Sequence, residues 1–370
     1  MKQRILILTD PISKPAYAPR LRFFCDYLVE HGYDIEVYTE RIQDYSIPHS
    51  YPIYEQTIYR NRLDWLLKSL WSLLTDWRNR QFTRFVRRQI QDKTFDIVFC
   101  TTFSTFPLRA ARTIAQERHI PFIADIRDLD EQIPGAQYQG HRQWFLRPFR
   151  ALYRAVNIRR RNRELRQATA ITTISPWHAE FIDTQIVKSS IVKSSIIYNG
   201  YDDKQFYPKD IVSKQFLISY IGKIFEFQNI DPVRQAIAEL NLPDIQLSVH
   251  TPDQNPLPIT AVGDEIRRSS IMLVLTGKAA KGMMTTKFYE ALGCEKPILC
   301  YPDDEGLLSQ TIRETHAGIA ADEIEDMKTF ILDKYKEWKQ NGFTHQKTLH
   351  REVFSRAYQT KQLEQLIQCL

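Results

Sequence analysis

The sequence predicts an α/β protein made of two doubly wound, Rossmann-like domains that face a central cleft. Its 370 residues exceed one ordinary hydrophobic core and suit two domains of about 150–200 residues each. Short apolar runs alternate with longer helical patterns, as in parallel sheets covered by helices on both faces. The alternation stops in a polar stretch over residues 202–213 and then begins again.

The first series of elements occupies the first 200 residues. A helical pattern follows the first apolar run and stops at Gly32, and a second helical pattern spans residues 108–118. The turn signal Asn199-Gly200 closes the series. Five apolar runs predict buried parallel strands, at residues 5–8, 35–37, 95–99, 121–124 and 170–174.

The second series repeats the same alternation. Its predicted strands and helices are strands 217–221, 246–249, 271–275 and 298–301 and helices 232–240 and 287–292. We therefore expect one domain over residues 1–207 and another over residues 208–345. Parallel sheets bind ligands beyond the carboxyl ends of their strands, so the cleft is the expected site.

The overall composition is that of a globular protein, with 43% hydrophobic and 25% charged residues. The first apolar run ends at Asp10, which is too early for a secretory signal, and no run reaches the roughly 18 apolar residues of a membrane span. The five cysteines lack metal-ligand spacing and indicate free thiols in a reducing compartment. We expect a cytoplasmic protein.

Positive charge is concentrated in the first half of the chain. Residues 1–200 hold 30 Lys and Arg against 20 Asp and Glu, whereas residues 201–370 hold 20 against 24. Leucines and tryptophans follow helical spacing over residues 63–77, and residues 141–168 contain nine arginines and one acid. Such helices lie at anionic membrane surfaces, so we expect peripheral contact with the inner face of the cytoplasmic membrane. Core or dimer packing of the stripe is the alternative, and we expect no nucleic-acid partner because no recognised module is present.

The segment over residues 281–293 predicts an anion site. A loop with Thr285 and Thr286 runs directly into a helix, whose free N–H groups and positive end attract anions. Lys287 places a cation where it disfavours the helix, which indicates an anion opposite it. Glu290 lies one turn further on the same face and can accept two hydroxyls of a ribose. The alternative is an ordinary capped helix with an exposed Lys–Glu pair.

Two further groups follow predicted strands. Gly222 lets the backbone approach a ligand closely, and Lys223 can reach a diphosphate. In the first domain, four acids surround Arg127, and this grouping is costly unless it is solvated or functional. Asp128 could bond an acceptor hydroxyl with Arg127 near a phosphate, while a structural Arg–Asp network that includes Asp125 is the alternative.

The long loop after the first strand contains three prolines and ends in a basic helix start. Its Lys14, Tyr17, Arg20 and Arg22 would suit a phosphorylated acceptor, although a plain surface loop is the alternative. The dinucleotide fingerprint G-x-G-x-x-G is absent from the chain, which argues against nicotinamide or flavin chemistry. No metal-binding motif is present either, so the sequence predicts neither a metal nor a cofactor.

Taken together, these segments resemble family 4 of the retaining GT-B glycosyltransferases, especially bacterial capsule, lipopolysaccharide and exopolysaccharide enzymes. The string at 125–129 is similar to the family's D-x-R-D-L-W segment, and residues 196–202 resemble its I-x-N-G-V-D junction between domains. Residues 220–223 resemble the Y-x-G-x segment at the start of its donor domain. Residues 286–298 resemble its S-K-x-x-E-x-x-x-x-G-K-P-V motif, which is the most specific match.

This resemblance implies an enzyme that moves a sugar from a nucleotide-diphosphate donor to a cell-envelope glycan or lipid-linked acceptor. It implies a retaining reaction without a metal, in which Glu290 binds the ribose and the stretch from Met284 to Lys287 lines the diphosphate. It also implies that a final helix within residues 346–370 packs back onto the first domain. The family's first Glu would fall at Gly282, so a catalytically weakened GT-B protein that binds or scaffolds a polysaccharide synthesis complex is a second hypothesis.

Overall fold

Two compact units make up the computed structural model of this chain. It describes residues 3–12, 19–41, 49–103, 105–132, 147–188, 192, 194–278 and 282–370. The first unit comprises Met1–Glu131, Tyr138–Tyr198 and Thr360–Leu370, and the second comprises Gln132–Gln137 and Asn199–Gln359. The boundary expected after residue 207 therefore lies inside the second unit, where Phe206 is buried at 3% exposure.

A seven-stranded parallel sheet forms the centre of the first unit. Its strand order, β3-β2-β1-β4-β5-β6-β7, reverses direction between β1 and β4. The strands are β1 (Arg4–Thr9), β2 (Asp34–Glu40), β3 (Ile53–Gln56), β4 (Ile97–Thr102), β5 (Phe122–Ile126), β6 (Ala170–Thr173) and β7 (Ser194–Ile196). β4 and β5 are buried along their whole length, as continuous apolar runs covered on both faces should be.

Helices of the first unit cover both faces of this sheet and form two cores. One core contains Phe82 and Ile114, and the other contains Phe24 together with Leu363 and Ile367 from the last helix. The helices are α1 (Pro19–Glu30), α2 (Arg62–Thr75), α3 (Trp77–Gln89), α4 (Leu108–Arg118), α5 (Arg147–Leu165) and α6 (Pro176–Phe181), which continues as a π-helical turn (Ile182–Val187).

The second unit is built around a five-stranded parallel sheet of order β12-β11-β10-β8-β9. Its strands are β8 (Phe216–Ile221), β9 (Ile245–His250), β10 (Ile271–Leu275), β11 (Ile298–Tyr301) and β12 (Gly318–Ala320). Its helices are α7 (Asp231–Leu240), α8 (Ile259–Arg268), α9 (Thr286–Gly293), α10 (Leu307–Glu314) and α11 (Ile324–Asn341). The strand order reverses between β8 and β10, which places a topological switch point there.

The chain ends in a short 3₁₀ turn (Arg351–Phe354) followed by α12 (Arg356–Gln368). Residues from Thr360 onward belong to the first unit. In the part of the chain that the structure describes, no helix has the length and apolar character needed to cross a membrane.

Candidate functional site

In the second unit, two segments meet at the switch point between β8 and β10. Gly222 follows β8 with a φ of +128°, a conformation that glycine adopts without strain. A Cβ on Gly222 would lie 2.6 Å from Cε of Lys287, which belongs to the first turn of α9. Because Gly222 has no side chain, the Lys287 side chain can lie in this space.

The ammonium group of Lys287 lies 5.3 Å from the centre of the Tyr220 ring. Burial lowers the pKa of Lys287, while the charge of Glu290 acts in the opposite direction. Burial also raises the pKa of Glu290 to about 7, against the charges of Arg356 and Lys287. Neither the Lys287 nor the Glu290 side chain makes a hydrogen bond or ion pair with another described residue. Within the described part of the chain, both charges are thus held in partly buried positions outside any ion pair.

The start of α9 is capped by the hydroxyl of Thr285, which accepts a bond of 3.4 Å from the N–H of Lys287. Thr286 is exposed in the first turn. Met284, expected along the diphosphate, instead buries its side chain at 5% exposure beside Thr311. Lys223 is exposed and its ammonium lies 5.5 Å from the Phe225 ring. The structure therefore brings Gly222, Lys287 and Glu290 together, whereas the Met284 side chain is buried beside Thr311 and the Lys223 side chain is exposed beside Phe225.

Gly282, where the resemblance places a glutamate, has a φ of +81°. This left-handed conformation costs roughly 1–2 kcal/mol for a residue with a Cβ. A glutamate at this position would therefore be strained, so the loop itself is shaped for glycine.

In the first unit, Asp125 and Arg20 form a buried ion pair with a distance of 2.6 Å. Thr101 and Thr172 each donate a further bond of 2.6 Å to the same carboxylate. Burial alone would raise the pKa of Asp125, but the charge of Arg20 and these hydrogen bonds lower it below its ordinary value. The sequence pattern predicts that Arg20 and Asp125 contact a ligand. In the structure, the two side chains are buried and pair with each other.

Arg127 is also held by the protein, since it pairs with Asp10 and stacks 3.8 Å from the centre of the Phe103 ring. This arrangement matches the structural Arg–Asp network that the sequence left as an alternative. Asp128 differs, because it is partly exposed and has no hydrogen-bond or ion-pair partner among the described residues. Burial raises its pKa to about 6, with Arg127 opposing and Asp10 adding to the shift.

A cavity of about 510 Å³ opens in the first unit beside the carboxyl ends of β1, β2 and β4. Asp10 and Phe103 line it near the switch point, and α2, α3 and α5 also contribute lining residues. In this lining, Nε of Arg78 donates to both oxygens of Glu40 at 2.9 Å, and the Arg78 guanidinium stacks 3.9 Å from the centre of the Phe106 ring. The cavity thus combines aromatic walls with fixed charges.

Of the expected acceptor residues that the structure describes, neither Arg20 nor Arg22 lines this cavity. Lys14 and Tyr17 lie outside the described residues. Arg22 is exposed and faces Asp26 on its own helix at 3.9 Å. The sequence had not singled out Glu40 or Arg78 for this role, although Glu40 ends a strand and so carried the same signal as the acids after β5.

Two exposed features of the first unit bear on the membrane expectation. The apolar face of α2 comprises side chains with exposures from 38% to 77%, namely Leu63, Leu67, Leu70, Trp71 and Leu74. On α5, Arg159 is exposed, but Arg160 donates to the carbonyl of Leu73 at 2.7 Å. Arg161 is fully buried and pairs with Glu131 at 2.6 Å. The arginine-rich segment is therefore partly structural.

Among the described residues, no group of three or more His, Cys, Asp and Glu could hold a metal ion. Two Rossmann-like units, each built around a parallel sheet with helices, define the chain as a GT-B type protein. A family model for Glycosyltransferase Family 4 matches residues 20–205. The chain belongs to this glycosyltransferase family.

Solved structures share the fold of the whole chain at low sequence identity. Sucrose-phosphate synthase from Thermosynechococcus elongatus is 13% identical with a TM-score of 0.68, over 99% of this chain and 98% of that one. Anabaena HepE, in complex with UDP-glucose, is 12% identical with a TM-score of 0.63, over 100% of both chains. The lipopolysaccharide outer core galactosyltransferase WaaB is 12% identical with a TM-score of 0.60, over 98% of this chain and 99% of that one. A search of curated protein sequences found no match.

Proposed function

We propose that the protein transfers a sugar from a nucleotide-diphosphate sugar to a glycan or lipid-linked acceptor of the cell envelope, with retention of configuration. The observation that carries this proposal is the pair of partly buried charges on Lys287 and Glu290 at the switch point of the second unit. A cation beside a helix start suits a diphosphate, and a carboxylate one turn away suits ribose hydroxyls. The structure of Anabaena HepE was solved in complex with UDP-glucose, and a donor of this kind agrees with the proposal.

In the proposed reaction, the donor site stabilises the nucleoside diphosphate as the leaving group. The bond between the anomeric carbon and the diphosphate oxygen breaks, the acceptor oxygen bonds to that carbon, and a nucleoside diphosphate leaves. The charge that develops on the diphosphate can be met by the ammonium group of Lys287 and by the dipole of α9. These groups supply positive charge without a metal or cofactor.

The acceptor side belongs to the first unit in this proposal. The cavity beside Asp10 and Phe103, with a volume of about 510 Å³ and aromatic side chains in its lining, is of a size that suits a sugar. Asp128 is the group proposed to take the proton of the acceptor hydroxyl, because its pKa of about 6 suits a general base near neutral pH.

The direct experiment incubates the full chain with a panel of nucleotide-diphosphate sugars and follows thermal stability and release of the nucleoside diphosphate. A ligand at 100 times its Kd stabilises by about 2.7 kcal/mol, which a melting curve resolves. Stabilisation by one donor with release of its diphosphate supports the proposal. Stabilisation without release, even with membrane extracts as acceptor source, favours the second candidate, a binding or scaffold protein, which the glycine-shaped loop at Gly282 motivates.

A peripheral position on the inner face of the cytoplasmic membrane is the second part of the proposal. The apolar face of α2 is exposed, and α5 adds Leu152 and Tyr153 at 55% and 38% exposure. Apolar and aromatic side chains next to arginines suit the interface of an anionic bilayer. Because α2 also forms a wall of the acceptor cavity through Ser72 and Leu73, a lipid-linked acceptor would reach the site from the membrane side.

Co-sedimentation with anionic vesicles tests this position. Trp71→Ser combined with Leu74→Ser should weaken vesicle binding by at least roughly tenfold, because each apolar side chain contributes about 1.5–3 kcal/mol when buried. The matched control is Val212→Ser with Ile259→Ser, two exposed apolar residues of the second unit. Equal binding by both double variants would show that the α2 face does not enter the membrane.

A further inference from the structure

A second, smaller cavity lies between α3 and α4 and shares no lining residue with the acceptor cavity. Its volume is about 200 Å³, and the described residues that line it are four arginines and two threonines, namely Arg80, Thr83, Arg84, Arg87, Arg109 and Thr113. A water molecule occupies about 30 Å³ in the liquid. The cavity therefore has room for one small anion and a few waters.

Among the described residues, carboxylates pair with two of the four arginines around this cavity. Arg109 pairs with Asp76 at 2.7 Å, and Arg87 pairs with Glu117 at the exposed edge. Neither Arg80 nor Arg84 forms an ion pair with a described residue, and both side chains are exposed. Like charges four residues apart on a helix repel each other by about 0.2–0.5 kcal/mol, so Arg80 and Arg84 weaken the helix on which they stand.

The hydrogen-bond donors of the cavity point to the class of ligand. The hydroxyl of Thr83 donates to the carbonyl of Asn79 and that of Thr113 to the carbonyl of Arg109, both at 2.7 Å. The donors left for a ligand are therefore guanidinium groups, which match the oxygens of a phosphate in bidentate geometry. Two of the four arginines are already oriented by their carboxylate partners, which lowers the cost of ordering them on binding.

We infer that the α3–α4 cavity is a binding site for a phosphate group, separate from the donor and acceptor sites. The phosphate comes either from an anionic lipid headgroup or from a soluble phosphate. A monoester fits better than a diester, because its second negative charge and third free oxygen match the surplus of arginines. The inference stands apart from the proposed transfer reaction, since none of its residues lines the acceptor cavity or belongs to the second unit.

The test compares two double variants. One variant carries Arg80→Gln and Arg84→Gln, and the control variant carries Arg234→Gln and Arg268→Gln. Both double variants remove two exposed arginines, the control pair lying in the second unit. Vesicles of phosphatidylcholine with phosphatidic acid present a phosphomonoester, and vesicles with phosphatidylserine at matched surface charge present a diester. Inorganic phosphate, followed by thermal shift at constant ionic strength, provides the soluble arm.

We expect the Arg80/Arg84 variant to lose about tenfold in affinity for phosphatidic acid vesicles, because it loses two charge-assisted contacts, and much less for phosphatidylserine vesicles. If inorganic phosphate stabilises the wild-type protein and the control but not this variant, the soluble source is supported as well. In the absence of phosphate the variant should be at least as stable as the wild type, which separates lost binding from misfolding. The inference would be overturned if the Arg80/Arg84 variant lost equal affinity for both lipids, or if both double variants lost equal affinity for phosphatidic acid vesicles. Charge alone would then explain the binding.

Discussion

The switch points of the two sheets differ in how their charges are arranged. In the first unit, Arg20 pairs with Asp125 and Arg127 pairs with Asp10, so each cation has a carboxylate in contact. In the second unit, Lys287 and Glu290 lie one turn apart and make no contact pair. The same topological position is thus occupied by ion-paired charges in one unit and, among the described residues, by charges outside any ion pair in the other.

This difference separates charges that stabilise the fold from charges that await a ligand. A buried pair with additional hydrogen bonds is costly to break, because the remaining ion stays buried without a partner. A partly buried ion without a counter-ion lowers stability and is retained where a ligand supplies the opposite charge. Asp128 belongs to the second kind although it lies in the first unit.

The largest expected effect is on the stability of the first unit. Arg20→Met should lower the free energy of unfolding by about 3–5 kcal/mol, because it leaves the Asp125 carboxylate buried and unpaired. Lys287→Met is the control, and its free energy of unfolding should equal or exceed that of the wild type, since it removes a charge that burial disfavours. Urea unfolding at neutral pH measures both.

The loss of stability expected in Arg20→Met should become smaller as pH falls. The pKa of Asp125 is lowered in the folded state, so its ionised form stabilises the protein above its unfolded pKa and loses that contribution as pH falls. The gap between the wild type and Arg20→Met should therefore narrow in acid, where a neutral Asp125 can be buried. A gap that stays constant with pH would mean that Arg20 acts through packing alone.

The next effect concerns catalysis. Asp128→Asn should lower donor hydrolysis, with water as acceptor, by about 100-fold while donor affinity stays the same, as expected for loss of a general base. In the wild type the rate should rise as pH passes about 6, the pKa of Asp128, and this rise should disappear in the variant. Asp130→Asn serves as the neighbouring control. A full rate and an unchanged pH profile in Asp128→Asn would remove this residue from the reaction.

A smaller effect is expected at Glu290. Glu290→Gln should weaken donor binding by about 1–3 kcal/mol, because an amide accepts ribose hydroxyls less strongly than a carboxylate. Since the folded-state pKa of Glu290 is raised to about 7, its ionisation destabilises the protein as pH rises from its unfolded value. The variant should thus be more stable than the wild type at pH 8 but not at pH 4, as measured by urea unfolding. If Glu290→Gln were more stable than the wild type at both pH values, the gain in stability would come from packing rather than from charge.

Most of the strand and helix pattern could be predicted from the sequence. The strands at 271–275 and 298–301 and the helix at 108–118 have the predicted bounds, because their apolar residues are continuous or fall on one helical face. The short strand at Ile53–Gln56 was missed, since it is only partly buried and has no apolar run. Local pattern thus predicts an element when that element is fully buried.

The site was predicted less completely. The sequence predicts charged groups after β5 and at the start of α9, because strand ends and helix starts follow from the pattern. The sequence does not predict which charges pair, since Arg20 and Asp125 are 105 positions apart and only the fold brings them together. That Gly222 lets the backbone approach a ligand stays a prediction, and what only the fold could show is that the Lys287 side chain lies beside it.

The most direct test of the central claim, that the second unit binds the donor through charges outside any ion pair, is calorimetry with nucleoside diphosphates and the matching nucleosides. Lys287→Met should weaken the diphosphate by roughly 10–100-fold, the value of one charge-assisted contact, and the uncharged nucleoside far less. Lys223→Met, which removes an exposed lysine at the same strand end, should have the smaller effect. Equal losses for diphosphate and nucleoside in Lys287→Met, or no binding of any common nucleoside diphosphate by the folded wild-type chain, would contradict the claim.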